Sequence, residues 1–305
     1  MGTPEFAVPS LDMMVKEGYD IAAVVTQPDK PKGRGNKLSM PPVKEYAVSK
    51  GIQVLQPEKV RVQEFFEKLK DLKPDLLVTA AYGRILPKDV LDIPPLGCIN
   101  VHGSLLPKYR GAAPIHWSII NGDKTTGITT MFSDNGMDTG DMLLKGEIEI
   151  TEDMTTGILH DKLAILGAEV LKETLLRLKE GALQRIPQAD SEATYAPMMK
   201  KEVGLIDWSK SAREIHNLVR GTNPWPGAYT YYKGDKMKVW LTEVADEKQQ
   251  GCVPGTILKV CSDGFHIACG KGTIDIKEVQ FDCCRRMCIG DYICGHTIDE
   301  GEKLE

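Results

Sequence analysis

The 305-residue chain contains no apolar run of about 18 residues and no basic-then-apolar leader, so neither a membrane-spanning helix nor a secretory signal is expected. No long internal repeat is present, which excludes solenoids and propellers. Neither G-x-G-x-x-G nor G-x-x-x-x-G-K-[ST] occurs, which argues against nicotinamide and nucleoside-triphosphate enzymes. Cysteine is nearly absent until late: Cys98 precedes residue 251 and the other seven follow it. Eight thiols without a leader fit a reduced, soluble, cytoplasmic protein.

What is there is an ordinary globular composition, 27% charged and 42% hydrophobic, long enough to favour two domains. The formal net charge of −5 argues against a general nucleic-acid coat but not against a local basic patch. One such patch is Asp29 to Lys37, with four positive charges and one negative among Gly and Pro. It cannot pack as core and is expected to be a solvated loop.

Along the chain, short apolar runs alternate with helical periods. Strands are expected at Ile21 to Val25, Ile52 to Leu55, Asp75 to Ala81, Ile99 to Val101 and Gly127 to Phe132, with helices between them. That order predicts β-α-β crossovers and a largely parallel, doubly wound, Rossmann-like sheet. Gly2-Thr3-Pro4 reads as a β-α turn with no strand ahead of it, so several apolar residues are expected before Met1 in the natural protein. The period then lapses. Residues 1–182 are read as a first domain, 183–201 as a linker and 202–305 as a second domain, with a helix capped at Ser209 and five short strands of an OB-like barrel. Those strands are Ala228 to Tyr232, Met237 to Val244, Thr256 to Val260, Phe265 to Ala268 and Thr273 to Val279.

Gly97 to Pro114 is the stretch with chemistry in it. A strand delivers Asn100 and His102 to one face, two residues apart, and breaks into a Gly/Pro loop. In an open α/β sheet, ligands bind beyond the carboxyl ends of strands, where these residues and the loop around Asp138 should lie. An amide donor, an imidazole and a carboxylate meet the needs of acyl transfer through a tetrahedral intermediate. Taken singly, each is as well explained by turn chemistry or a satisfied core position.

Together they carry a resemblance. Asn100-Val101-His102-Gly103-Ser104-Leu105-Leu106-Pro107, with Asp138 in Met137-Asp138-Thr139-Gly140-Asp141, resembles the 10-formyltetrahydrofolate-dependent formyltransferase family. Gly33-Arg34-Gly35, Arg110-Gly111-Ala112-Ala113-Pro114 and Asn223-Pro224-Trp225-Pro226 resemble its branch acting on the methionine of initiator tRNA. The resemblance implies a Rossmann-like catalytic domain and a C-terminal OB-like tRNA-binding domain. It implies Asn100, His102 and Asp138 as catalytic residues, and Ser104, Leu105, Leu106 and Pro107 lining the folate site. It also implies Arg34 at the tRNA, 10-formyltetrahydrofolate as co-substrate without a metal, and a cytoplasmic monomer off the membrane. In this reading Asn100 and a protonated His102 stabilise the oxyanion, and Asp138 favours the charged imidazole or takes the amine proton.

Other readings fit less well. Asp138-Thr139-Gly140 is the aspartic-protease triplet, but it occurs once and in an α/β context. Cys283, Cys284, Cys288 and Cys294 lack the paired C-x₂-C knuckles of structural zinc sites. The remaining alternatives are formylation of another amine, a sugar nucleotide's or glycinamide ribonucleotide's, and a non-catalytic tRNA-binding relative.

Overall fold

The computed structural model describes residues 1–32, 37–249 and 251–305, which form two compact units. The first comprises Met1–Pro114, Thr125–Glu149 and His160–Pro197; the second comprises Ile115–Lys124, Ile150–Leu159 and Met198–Glu305.

In the first unit, β1 (Val24–Val25) pairs in parallel with β2 (Val54–Leu55). Met1 and Gly2 continue the sheet: Gly2 N–H donates to Val25 O and Ala80 N–H to Met1 O, each at 3.0 Å. The Gly-Thr-Pro turn therefore leaves from a sheet position, as its chemistry requires. Next come β3 (Leu77–Ala80) and, parallel to it, β4 (Cys98–His102). Up to this point the expected parallel order holds. Beyond it β5 (Thr125–Phe132) and β6 (Met142–Glu149) run antiparallel, so the sheet is mixed rather than largely parallel. Residues 133–141 alone join β5 to β6, and a parallel crossover needs about a dozen or more.

The packing follows the side-chain pattern. In β4, Cys98, Ile99, Val101 and His102 are all buried, as in a strand covered on both faces. The helices are α1 (Val8–Lys16), α2 (Pro42–Ser49), α3 (Gln63–Asp71), α4 (Lys88–Leu91), α5 (Pro114–Ile120) and α6 (Thr156–Lys179). Along α6, Leu163, Leu171 and Leu175 are buried on one stripe, and Gly167 falls on the same stripe. A Cβ on Gly167 would lie 3.0 Å from Val101 Cγ1, so the glycine is what lets helix and strand come this close. The basic stretch is flanked by a small antiparallel pair, Lys30–Lys32 with Lys37–Ser39.

The second unit takes in Ile115–Ile120 of α5 and, in its C-terminal part, α7 (Ala212–Gly221). Its N-cap is Ser211, not Ser209. Ser211 and Glu214 form a reciprocal capping box, whereas Ser209 N–H and Oγ both bond the Asp207 carboxylate in the turn before the helix. All five expected strands form: β7 (Ala228–Tyr232), β8 (Asp235–Asp246), β9 (Ile257–Cys261), β10 (Gly264–Ala268) and β11 (Thr273–Phe281). A sixth, β12 (Met287–Cys288), lies on β11. The antiparallel order is β7-β8-β11-β10-β9. Residues 301–305 then bridge the two edges: Tyr231 and Glu305 exchange backbone bonds (2.9 and 3.0 Å), while Glu302 O and Gly301 N–H bond Ile257 (2.8 Å each). That closure makes the sheet barrel-like around Phe265, Ile274, Ile276 and Met237.

Candidate active site

The carboxyl half of β4 brings Asn100 and His102 to one face, and the neighbouring strands fix both. Thr79 lies opposite Asn100 across the parallel pair, and its hydroxyl donates to Asn100 Oδ1 at 2.8 Å. An amide whose oxygen is tied this way presents its NH₂ outward, so Asn100 is oriented as a donor.

His102 is 5% exposed. Its Nε2 lies 2.9 Å from the carbonyl oxygen of Tyr109. A carbonyl can only accept, so Nε2 carries a proton and Nδ1 is left facing Asp138. Tyr109 has φ +61°, the left-handed region, and this aims its carbonyl back at the ring.

Asp138 arrives on the 133–141 loop, also in a left-handed conformation, φ +54°. Its Oδ2 accepts the Gly111 N–H at 2.9 Å, which turns Oδ1 toward His102 Nδ1 at 3.6 Å. That gap is too long for a hydrogen bond.

The other expected residues divide. Ser104 and Leu106 are wholly buried, and Thr129 consumes their backbone: its hydroxyl donates to Ser104 O (2.7 Å) and accepts from Leu106 N–H (3.0 Å). Lys145 Nζ takes the Leu106 carbonyl at 2.6 Å. Leu105 and Pro107 remain half-buried, with surface to offer a ligand. Arg34 lies outside the described residues. Thr3, Gln27 and Tyr82 join three strand ends: Gln27 Nε2 (3.0 Å) and Thr3 Oγ1 (3.2 Å) both donate to Tyr82 O. The Tyr82 hydroxyl is buried without a partner among the described residues, and burial pushes its phenol up. Among the described residues no His/Cys/Asp/Glu group is disposed to hold a metal ion, and no helix is long and apolar enough to cross a membrane.

Sequence reasoning missed the supports. The Thr79 hydroxyl, the Tyr109 carbonyl and the Gly111 amide bond the three central side chains; Gly111 lies in the Arg110–Pro114 motif, but nothing in that motif marks this bond. A concavity of roughly 490 Å³ does exist, lined by Leu96 to Cys98, Phe132 to Asn135 and Arg185. It lies at the opposite end of β4 and contains none of the expected site residues.

Comparison with known proteins gives the family. The family pattern described as "Formyl transferase" matches residues 1–175, and that described as "Formyl transferase, C-terminal domain" matches 198–297. The methionyl-tRNA formyltransferase of Acetivibrio thermocellus is 69% identical over 304 residues, spanning 100% of this chain and 98% of that protein. The protein of the same name from Ruminiclostridium cellulolyticum is 64% identical, with the same shares covered. In three dimensions, a sugar 3N-formyl transferase, WlaRD, superposes with a TM-score of 0.68 over 93% of this chain and 97% of that one, at 18% identity, a likeness of fold. Two family patterns across both units, and relatives this similar along the whole length, establish that the chain belongs to the methionyl-tRNA formyltransferases of the formyl transferase family.

Proposed function

We propose that this enzyme transfers the formyl group of 10-formyltetrahydrofolate to the α-amine of methionyl-initiator tRNA at the face of β4 bearing Asn100, His102 and Asp138. One observation carries the role assignment: with Nε2 of His102 tied to Tyr109, Nδ1 and Asp138 Oδ1 face each other 3.6 Å apart with no closer partner among the described residues.

The co-substrate supplies an activated carbonyl carbon on N10. The amine nucleophile needs little activation, since a free α-amine has a pKa of about 7.7–8.0 and is partly neutral near pH 7. As its nitrogen bonds the formyl carbon, the carbonyl oxygen becomes an oxyanion. Asn100 Nδ2–H and a protonated His102 Nδ1–H are the donors for it. Asp138 Oδ1 accepts the proton that the attacking amine sheds. Collapse then breaks the bond from carbon to N10; the departing nitrogen takes the Nδ1 proton of His102, and Asp138 passes the proton it took from the amine back to the ring, which restores both groups. Leu105 and Pro107 offer the apolar wall for the folate beside Ser104 and Leu106.

Residues 1–182 then carry catalysis, 183–201 join the domains and 202–305 hold the tRNA. Arg34 meets the acceptor end. On the second unit, Lys236 Nζ lies 3.7 Å from the Tyr229 ring centroid, and Lys238 and Arg286 lie 5.3 and 5.2 Å from that of Trp240. A basic and aromatic face of this kind suits an RNA backbone. The enzyme is a cytoplasmic monomer in this reading, and sedimentation at the mass of one chain would support it.

The test is formyl transfer from 10-formyltetrahydrofolate to charged initiator tRNA, beside a sugar-nucleotide amine and glycinamide ribonucleotide as acceptors. Transfer confined to the tRNA is expected; equal or better transfer to either small acceptor would contradict the assignment.

A further inference from the structure

The stretch after α6 does more than connect. Ile186 and Met142 exchange backbone hydrogen bonds (2.9 Å each). Tyr195–Ala196 pairs in parallel with Arg110–Gly111. Thr194 accepts from Arg110 N–H through its carbonyl (2.8 Å) and from Tyr109 N–H through its hydroxyl (2.9 Å). Residues 186–196 thus lie as a strap over both loops that complete the site: the one giving His102 its carbonyl partner, and the one carrying Asp138.

Gln188 is the centre of that strap. Its Nε2 donates to two carbonyls of the catalytic loop, Asp138 O at 2.8 Å and Gly140 O at 2.7 Å. Its Oε1 accepts from Nε of Arg110 at 2.9 Å, which fixes which way the amide faces. Arg110 is 2% exposed, with Nη1 paired to Asp190 at 2.9 Å and Nη2 buried without a partner among the described residues. A guanidinium with one nitrogen unsatisfied is a costly way to fill space. What it does here is hold Gln188, and Gln188 holds a non-glycine residue in the left-handed conformation.

We propose that Gln188, oriented by Arg110, is a positioning residue for catalysis: by clamping the carbonyls of Asp138 and Gly140, it keeps Oδ1 of Asp138 in line with Nδ1 of His102. Neither residue touches the reacting atoms; both act through Asp138. The inference rests on the role of Asp138 proposed above.

The test is a double-mutant cycle in formyl transfer, using Gln188→Glu and Asp138→Asn. Gln188→Glu keeps the size and still accepts from Arg110, but places an oxygen against two carbonyl oxygens. We expect its kcat to fall about tenfold or more, with KM for both substrates within about twofold. In the Asp138→Asn background the same change should cost less than about twofold, because the group it positions is already gone. A thermal midpoint matching wild type shows that the variant folds; if it does not fold, Gln188→Asn, which retains a shorter amide, takes its place in the cycle. Full losses that multiply, or a Gln188→Glu enzyme with wild-type kcat, would overturn the inference while leaving Asp138 in place. A near-normal kcat for Asp138→Asn alone would instead sink the role of Asp138 itself.

Discussion

At the scale of single residues, the chemistry depends on which atoms are left over once the fold has taken its share. Thr79 takes the oxygen of Asn100, Tyr109 takes Nε2 of His102, and Gly111 takes Oδ2 of Asp138. In the proposed mechanism the atoms left over are the Asn100 amide N–H, Nδ1 of His102, a donor when the ring holds both protons, and Asp138 Oδ1, an acceptor. Asn100→Ala should therefore cost about 3–4 kcal/mol of transition-state stabilisation, a factor of roughly 10²–10³ in kcat, with folate affinity little changed. Thr79→Val, which removes only the tie on the amide oxygen, should lower kcat about fivefold to tenfold, in keeping with the loss of one buried hydrogen bond of about 1 kcal/mol. Steady-state kinetics on both variants checks the pair, and Thr79→Val at full rate would show that the amide orients itself.

Elements explain why some of this was legible in the sequence and some was not. A period of two put Asn100 and His102 on one face, and the runs of apolar residues marked the long strands of both units except β6 (Met142–Glu149), where only the first residues are buried. Strand direction carries no such mark, so the antiparallel turn of β5 and β6 was missed. Gln188 was missed for another reason: its partners lie 48 to 78 residues away, and a polar residue in an aperiodic stretch looks like linker until the chain is folded. Gly111 shows the same limit. Its φ of +122° and the 2.7 Å that would separate a Cβ from Ala196 O are tertiary facts. Gly111→Ala should push the strap off the Arg110–Gly111 strand and loosen the amide that holds Asp138. A loss of about 1–3 kcal/mol in unfolding free energy and a lower kcat are expected, measured by urea unfolding and by formyl transfer.

For the whole molecule, charge and pH give two further expectations. The chain is acidic, with a net charge of −5, so attraction to RNA must be local, and binding should weaken steeply with salt. Replacing Lys236 or Lys238 by Ala should lower the slope of log K against log salt by about 0.7–0.9 each, if each meets one phosphate. An unchanged slope would remove that face from the interface. In the second unit, His216 bonds Thr242 Oγ1 (3.0 Å) and the Glu152 carbonyl (3.1 Å), and burial depresses its affinity for a proton. The unfolded chain then binds more protons than the folded one below about pH 6.5, so stability should fall as pH drops through the ordinary histidine range. His216→Asn should flatten that fall, read as urea midpoints between pH 7 and pH 5.

The most direct test of the account is the single-turnover rate of formyl transfer to methionyl-initiator tRNA by His102→Ala, measured beside the affinity of the same protein for the folate. The geometry predicts a rate lower by about 10²-fold or more with folate binding within about twofold of wild type. A near-normal rate, or a loss matched by an equal loss of folate affinity, would contradict it.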